Sequence, residues 1–357
     1  CHPARFDSVI VSRFWVGISA EYRVSMLSFS DVQSARQRIR PHVVETPVVS
    51  SRVLNEALGH EIFFKAECLQ RIGAFKARGA CNALRRRLDA GETPRNVVAQ
   101  SSGNHAQATA WAAARFGIPA TIVMPRDVSR IKAQATRAYG ATADMQVDRA
   151  TSELRIRELA AEPGTLWVHP YDDADVIAGQ GTATLEALET TGPVDLVAGP
   201  CGGGGLMGGA VLAAGELSPT ADLIGVEPAG ADDAAQSLRA GHIVTLPASP
   251  DTLADGVRTL SIGELNFALF SRLAGIEVVS DERICYWTQW LSHLLKLHLE
   301  PTAALGMAGA ANWLRGKDPG QRVLVLLSGG NVDAEVTRRV WSTNYLDNLP
   351  SLDVGLL

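Results

Sequence analysis

From residue 61 to residue 331 the chain alternates short, continuous apolar runs with longer segments of helical character. The runs "EIFFKAE", "NVVAQ", "ATIVMP", "VDLVAGP", "DLIGVEP" and "RVLVLLSGGN" are too short for helices. They also lack the in-out alternation of a half-exposed strand, so they read as strands buried on both faces. Between them lie helical stretches. One begins near Phe75, and the Ala-rich "HAQATAWAAARFG" stops at Gly117 before Pro119. In "SRIKAQATRAYG" Ser129 can cap the start and Gly140 the end, and another Ala-rich helix follows "CGGGGLMGG". Strands and helices in this order predict an α/β architecture, two-lobed, with parallel-rich twisted sheets flanked by helices. Residues 97–172 are expected to form a small αβ unit inserted into a larger one made of 26–96 and 173–340, with 341–357 as a C-terminal tail. Residues 1–25 are expected to be an N-terminal extension outside the fold, because Met26 opens a convincing start. An Arg-bearing targeting segment is the alternative there, although Asp7 and Glu21 interrupt it.

Composition changes this picture little. The 357 residues are 46% apolar and 20% charged, ordinary for a water-exposed globular chain with a sizeable core. A formal charge of −5 argues against a nucleic-acid binder, since no basic stripe exceeds the run Arg85–Arg87, which reads as one solvated helix face. Cys1, Cys68, Cys81, Cys201 and Cys285 are scattered and odd in number, as expected of reduced thiols in a cytoplasmic protein. No apolar stretch is long and charge-free enough for a membrane span.

The chemistry sits where the runs end. In sheets of this kind ligands bind at the carboxyl ends of strands, and "SSGNH", "CGGGG" and "SGGN" all fall there. Gly202, Gly203, Gly204 and Gly205 follow a buried strand and open a helix, so their backbone N–H groups can turn inward around a phosphate. The run lacks the Lys and Ser/Thr of a nucleotide-triphosphate loop, and Gly203–Gly208 gives only a loose dinucleotide pattern with Glu227. Lys76, behind Phe75 and among small residues, is a candidate for a depressed pKa and imine chemistry. Taken alone it reads as an ordinary lysine at a helix start. "SSGNHAQ" offers hydroxyls and amides at a helix N-terminus, suited to a carboxylate, and Ser328 is a hydroxyl at a buried strand end. Together they offer a lysine for an aldehyde, a cradle for a phosphate, another for a carboxylate and one buried hydroxyl. That set suits pyridoxal phosphate carrying an amino acid.

At these residues the chain resembles the fold-type II pyridoxal-phosphate enzymes, within them the threonine/serine dehydratase and serine racemase group. The motifs are "KAECLQRIGAFKARGA", "SSGNHAQA", "GPCGGGGLMGG" and "LSGGNVD". The resemblance runs from about Ser28 to about Val340. It implies that the larger lobe binds the cofactor, with Lys76 as the Schiff-base lysine and Phe75 beside the pyridine ring. Asn104 would meet the phenolic oxygen, Gly202–Gly205 the phosphate and Ser328 the ring nitrogen. Ser101, Ser102, Asn104 and His105 would receive the substrate carboxylate, and Gly256 and Glu300 would line the site.

The implied reaction is ammonia loss from a β-hydroxy amino acid such as L-threonine or L-serine. Lys76 takes the α-proton, the β-hydroxyl leaves, and a 2-keto acid results. A racemase using Lys76 and Ser102 as two bases is one alternative, and a hydroxyaspartate dehydratase another. Gln100 stands where animal serine racemases carry His, and the Arg expected after the "YGA" strand is not cleanly placed, with Glu153 near that position and Arg155 close by. Both departures weaken the racemase and hydroxyaspartate readings and put a threonine/serine dehydratase ahead. The resemblance also assigns Glu227, the Ala231 carbonyl and Asp233 to a divalent cation, Mg²⁺ or Ca²⁺. Tyr139 matches a residue near the ATP effector of serine racemase, and a homodimer is the default. Outside this class stand a non-enzyme that binds a phosphorylated ligand on the same scaffold and a nicotinamide oxidoreductase; β-replacement is the rival within it.

Overall fold

The computed structural model describes residues 27–353, apart from residues 127 and 129 and the side chain of residue 131. The expectations for residues 1–25, for Met26 and for the Ser129 cap therefore lie outside the described residues. In chain order the elements are α1 (Phe29–Ile39), β1 (Val48–Val49), α2 (Arg52–Leu58), β2 (Glu61–Ala66), α3 (Lys76–Asp89), β3 (Asn96–Gln100), α4 (Asn104–Arg115) and β4 (Ala120–Pro125). They continue with α5 (Arg130–Ala138), β5 (Thr142–Gln146), α6 (Arg149–Ala161), β6 (Thr165–Trp167), α7 (Ala174–Thr191), β7 (Leu196–Pro200), α8 (Gly205–Leu217) and β8 (Asp222–Pro228). The last are α9 (Asp233–Ala240), α10 (Glu264–Leu269), β9 (Gly275–Val279), α11 (Asp281–Leu295), α12 (Pro301–Leu314), β10 (Arg322–Leu327) and α13 (Ala334–Val340).

The strands form two sheets. One has six strands in the order β1-β2-β10-β7-β8-β9, the other four in the order β5-β4-β3-β6. Every pairing between these strands is parallel except β1 with β2. The buried runs behave as their composition demands: β7 is buried throughout and β10 beyond its first residue, because helices cover both faces. α4, α8 and α12 are Ala- and Gly-rich because they are packed on several sides and have no room for larger side chains. Polar residues set the helix starts. Asp173 accepts a bond from the Val176 N–H at 2.9 Å, and Ser280 caps α11 in the same way.

The register builds the site. β10 lies between β2 and β7, pairing Leu327 with Ala66 and Val325 with Ala198. The segments leaving β2, β10 and β7 therefore emerge at one edge, and they carry Lys76, Ser328 and the glycine loop. The apolar face of α3 joins the core of the four-stranded sheet, with Ala77, Ala80 and Leu84 packed among Val97, Ala99 and Ile122. Lys76 thus starts a helix that faces the small sheet while its loop returns to the large one. Among the described residues no helix is long and apolar enough to cross a membrane.

Candidate active site

A cleft of about 830 Å³ opens between the ends of the two sheets. Phe75, Lys76, the 101–105 turn, Gly202–Gly205, Gly256, Glu300 and Ser328 all line it. The structure thus brings together the residues that the resemblance assigned to cofactor and substrate.

Lys76 is the first residue of α3, and its Nζ donates to the Pro170 carbonyl at 2.6 Å. Burial pulls its pKa from 10.5 to about 8, because little solvent remains to stabilise the ammonium. The amine lies 5.1 Å from the Phe75 ring centroid. Ser328 follows β10, and its Oγ is enclosed without a hydrogen-bond partner. A buried hydroxyl with no partner costs free energy, so a ligand atom that pairs with it is a fit. The glycine loop fits a phosphate by the same kind of test. A Cβ on Gly203 would lie 2.2 Å from the Tyr171 ring, and Gly204 has φ +96° at the entrance to α8. Only glycine lets this backbone run so close to its neighbours while its N–H groups turn toward the cleft.

Asn104 begins α4. Its Nδ2 donates to both Glu300 carboxylate oxygens at 3.2 and 3.1 Å, and its Oδ1 accepts from Asn331 at 2.9 Å. Both amide donations are directed at Glu300, so a cofactor oxygen would meet this amide by sharing or displacing one of those contacts. Burial, then the nearby Asp255, raises the Glu300 pKa to about 8. Ser101 Oγ accepts from the Gly103 N–H at 3.2 Å, and Ser102 lines the cleft beside it. His105 is different from its neighbours: its ring is buried and bonded to the Val168 carbonyl at 2.8 Å. What it can offer a carboxylate is its position in the first turn of α4, not its imidazole. Gly256 N–H donates to Thr302 Oγ1 at 3.0 Å, which fixes the turn that closes this side.

Several residues in and behind the cleft, Lys132, Arg149 and Asn266 among them, had no role in the sequence reading. Lys132 on α5 pairs with Asp255 and lies 3.7 Å from Asp333, bridging the small-sheet side of the cleft to the large-sheet side. Arg149 pairs with Glu153 at 3.5 Å at the cleft wall, while Arg155 turns away to Asp144. Asn266 Nδ2 ties the Gly203 and Tyr171 carbonyls together at 2.9 Å each. The segment "HPYDD" supplies the carbonyl that holds Lys76 and the ring that covers Gly203. Its position just after the short run "TLWV" was the one signal the sequence offered. Tyr139, the residue matched to an effector site, is half-buried against the core of the small sheet.

A second polar cluster lies behind the glycine loop. Glu227 accepts from the Ala234 and Ala235 N–H groups at 3.0 and 2.8 Å. Both Asp233 oxygens are enclosed without a partner. Burial raises Glu227 to about 9, with Asp233 adding to it, and burial raises Asp233 to about 7. Two such carboxylates suit a hard divalent cation better than they suit each other. Among the described residues no group of three or more His, Cys, Asp or Glu side chains forms a metal cluster, so a cation here would use carbonyl or water oxygen to complete its shell.

Residues 39–329 match the model of the family described as pyridoxal-phosphate dependent enzyme. The chain belongs to that family. It is 45% identical over 311 residues to an L-threo-3-hydroxyaspartate ammonia-lyase of Saccharomyces cerevisiae, covering 86% of this chain and 94% of that protein. It is 39% identical over 325 residues to a serine racemase of Arabidopsis thaliana, covering 88% and 95%. Among solved structures, a maize serine racemase superimposes with a TM-score of 0.82 at 36% identity, over 87% of this chain and 96% of that one. The architecture is the fold-type II arrangement, and this pyridoxal-phosphate enzyme falls among ammonia-lyases and racemases.

Proposed function

We propose that this protein is a pyridoxal-phosphate-dependent ammonia-lyase that converts a β-hydroxy amino acid into a 2-keto acid and ammonia. The observation that carries the reading is Lys76: a half-buried amine held by the Pro170 carbonyl at 2.6 Å, with its pKa near 8, in a cleft shared with the glycine loop and the enclosed Ser328 hydroxyl. When bound, the cofactor supplies an aldehyde and an electron sink that acidifies the α-proton.

The chain's own groups do the rest. Lys76 Nζ, easily deprotonated, takes the proton from Cα. The Ser101–His105 turn and the α4 N-terminus hold the α-carboxylate. Ser328 is uncharged and cannot keep a ring nitrogen protonated as a carboxylate would, which favours prompt loss of a β-substituent over transamination. Asn104, anchored by Glu300 and Asn331, fixes the cofactor's orientation. Glu227, the Ala231 carbonyl and Asp233 hold a divalent cation, Mg²⁺ or Ca²⁺, that steadies the strand leading to α9. A homodimer in the cytoplasm belongs to the same reading.

Among substrates we rank 3-hydroxyaspartate first, with L-threonine and L-serine behind it, because two relatives, 45% and 42% identical, carry the hydroxyaspartate activity in their names. Ser102, lining the cleft with Lys76, supports a second reading in which some L-serine is racemised. The test is keto-acid and ammonia release by holoenzyme from L-threo-3-hydroxyaspartate, L-threonine and L-serine, with chiral analysis of residual serine. Equal yields of keto acid and ammonia are expected. D-serine without keto acid from any substrate would overturn the lyase reading in favour of the racemase.

A further inference from the structure

One face of α6 looks into the cleft. Arg149, Glu153 and Arg157 follow one another at single-turn spacing, and all three line the cavity. Arg149 lies 3.5 Å from Glu153, in a pair about half exposed at both ends. A pair so exposed contributes little, so a second anion can compete for its guanidinium. Arg157 is exposed and has no carboxylate partner among the described residues. The other acid at this end of the helix is already engaged: Asp148 Oδ1 accepts from the Thr151 N–H and hydroxyl at 2.8 Å each. Tyr171 completes the wall. Its ring covers Gly203 and lies 4.8 Å from His169, and the charges of Arg149 and Glu153 both act on its phenol. Burial, then Asp172, pushes that phenol up to about 12, so the hydroxyl keeps its proton and can donate. It finds no hydrogen-bond partner among the described residues and is not one of the enclosed atoms.

Two guanidinium groups and a phenol thus gather around one carboxylate. Their place in the fold puts them beside the Ser101–His105 turn. β6 pairs with β3, so the segment that carries Tyr171 leaves the sheet next to that turn. Ile156 on α6 packs in one cluster with Trp167 on β6, which ties the arginine face to the same segment. We propose, resting on the lyase reading above, that Arg149, Arg157 and the Tyr171 hydroxyl hold the second carboxylate of a four-carbon acidic substrate, and that Glu153 is the counterion this carboxylate displaces from Arg149. A guanidinium offers five N–H donors in a planar fork that matches a carboxylate, so the incoming group gains paired, charge-assisted hydrogen bonds. Glu153 sets the selectivity of the exchange. It neutralises Arg149 while the subsite is empty and repels the incoming anion, so its charge limits how tightly a dicarboxylate is held. A substrate with a methyl group or a hydrogen in place of that carboxylate gains nothing from the exchange.

The test is equilibrium binding, read by calorimetry on holoenzyme with succinate and butyrate. Both acids have four carbons and neither carries an amine or a leaving group, so nothing turns over. They differ by one carboxylate, and succinate spaces its two as 3-hydroxyaspartate does. Succinate should bind wild type at least about tenfold more tightly than butyrate. Arg149→Gln and Arg157→Gln, both at exposed positions, should each weaken succinate by about fivefold and leave butyrate within about twofold. Tyr171→Phe, which keeps the ring over Gly203, should weaken succinate by about threefold. Glu153→Gln should tighten succinate by about threefold, the reverse of what loss of a merely structural ion pair would do. Equal affinity for the two acids in wild type, no measurable succinate binding, losses shared by butyrate, or weaker succinate binding in Glu153→Gln would overturn the subsite. Keto-acid release from L-threonine by the same preparation tests the lyase reading separately. Release without a succinate preference removes the subsite alone, whereas a succinate preference without release from any β-hydroxy amino acid removes the lyase reading and with it the substrate role of the subsite.

Discussion

At the scale of single residues, the deciding quantity is the solvation of Lys76. An exposed lysine holds its proton to about 10.5, and this one lets it go near 8 because burial removes the water that stabilises the ammonium. Apoenzyme mixed with pyridoxal phosphate should gain its bound-cofactor absorbance at a rate that rises with pH and levels off above a midpoint near 8. A midpoint near the ordinary lysine value would contradict the burial argument. Lys76→Ala should lower kcat by at least about 10²–10⁴-fold through loss of the base alone, read as keto-acid release. Ser328 gives an opposite pair of signs. Its enclosed Oγ is a liability without a partner, so Ser328→Ala should leave the apoenzyme Tm unchanged or slightly raised. The same change should weaken cofactor retention by about tenfold, the worth of one hydrogen bond, measured by dialysis against a cofactor trap.

Elements hold these residues where they are. α3 is anchored two residues past Lys76 by Arg78, which pairs with Glu67 at 2.8 Å and Glu186 at 2.7 Å, with no solvent exposure. Lys65 joins Glu186 at 2.7 Å from β2, so the network ties the strand before the site, the helix after it and α7 into one unit. Arg78→Ala leaves two carboxylates buried beside a single lysine. It should cost about 3–5 kcal/mol, read from the urea midpoint. The neighbouring surface arginines offer the contrast. Arg85 and Arg86 pair with Asp89 and Asp175 in solvent, where each pair contributes at most about 1 kcal/mol. On the loop entering α8, Gly203→Ala drives a methyl into the Tyr171 ring. Because that ring belongs to the strap whose carbonyl holds Lys76, both cofactor affinity and the pH midpoint of reconstitution should move.

Across the whole molecule, two sheets close on one cleft and a buried acidic pair sits behind it. Glu227 and Asp233 are pushed up from 4.5 and 3.8 to about 9 and about 7. Groups raised in this way bind more protons folded than unfolded, so their contribution to stability is complete below their unfolded pKa values and is lost as pH rises through the folded ones. The chelated protein should therefore show a Tm that falls from the ordinary carboxylate range up to about pH 9. Mg²⁺ or Ca²⁺ should flatten that slope by taking the protons' place, and a Tm indifferent to both pH and cation would argue against a cation at this pair. The ion bridge from Lys132 to Asp255 and Asp333 joins the two sides of the same cleft, using residues far apart in sequence.

The sequence by itself determined the α/β class and the family, and it pointed to the residues that the fold brings together at the cleft. Those features rest on local signals: apolar runs long enough only for strands, glycines where backbone must pass close, and a lysine set among small residues. Strands such as β5, with its polar "TADMQ", and the two-residue β1 left no such pattern and took their place from neighbours. The tertiary structure alone decided that β10 lies between β2 and β7, because parallel pairing joins segments more than a hundred residues apart. It also decided that the His105 ring turns to Val168 while His169, with no motif around it, opens to the cleft. Hydrogen-bond direction and burial belong to the folded neighbourhood, and no pattern along the chain encodes them.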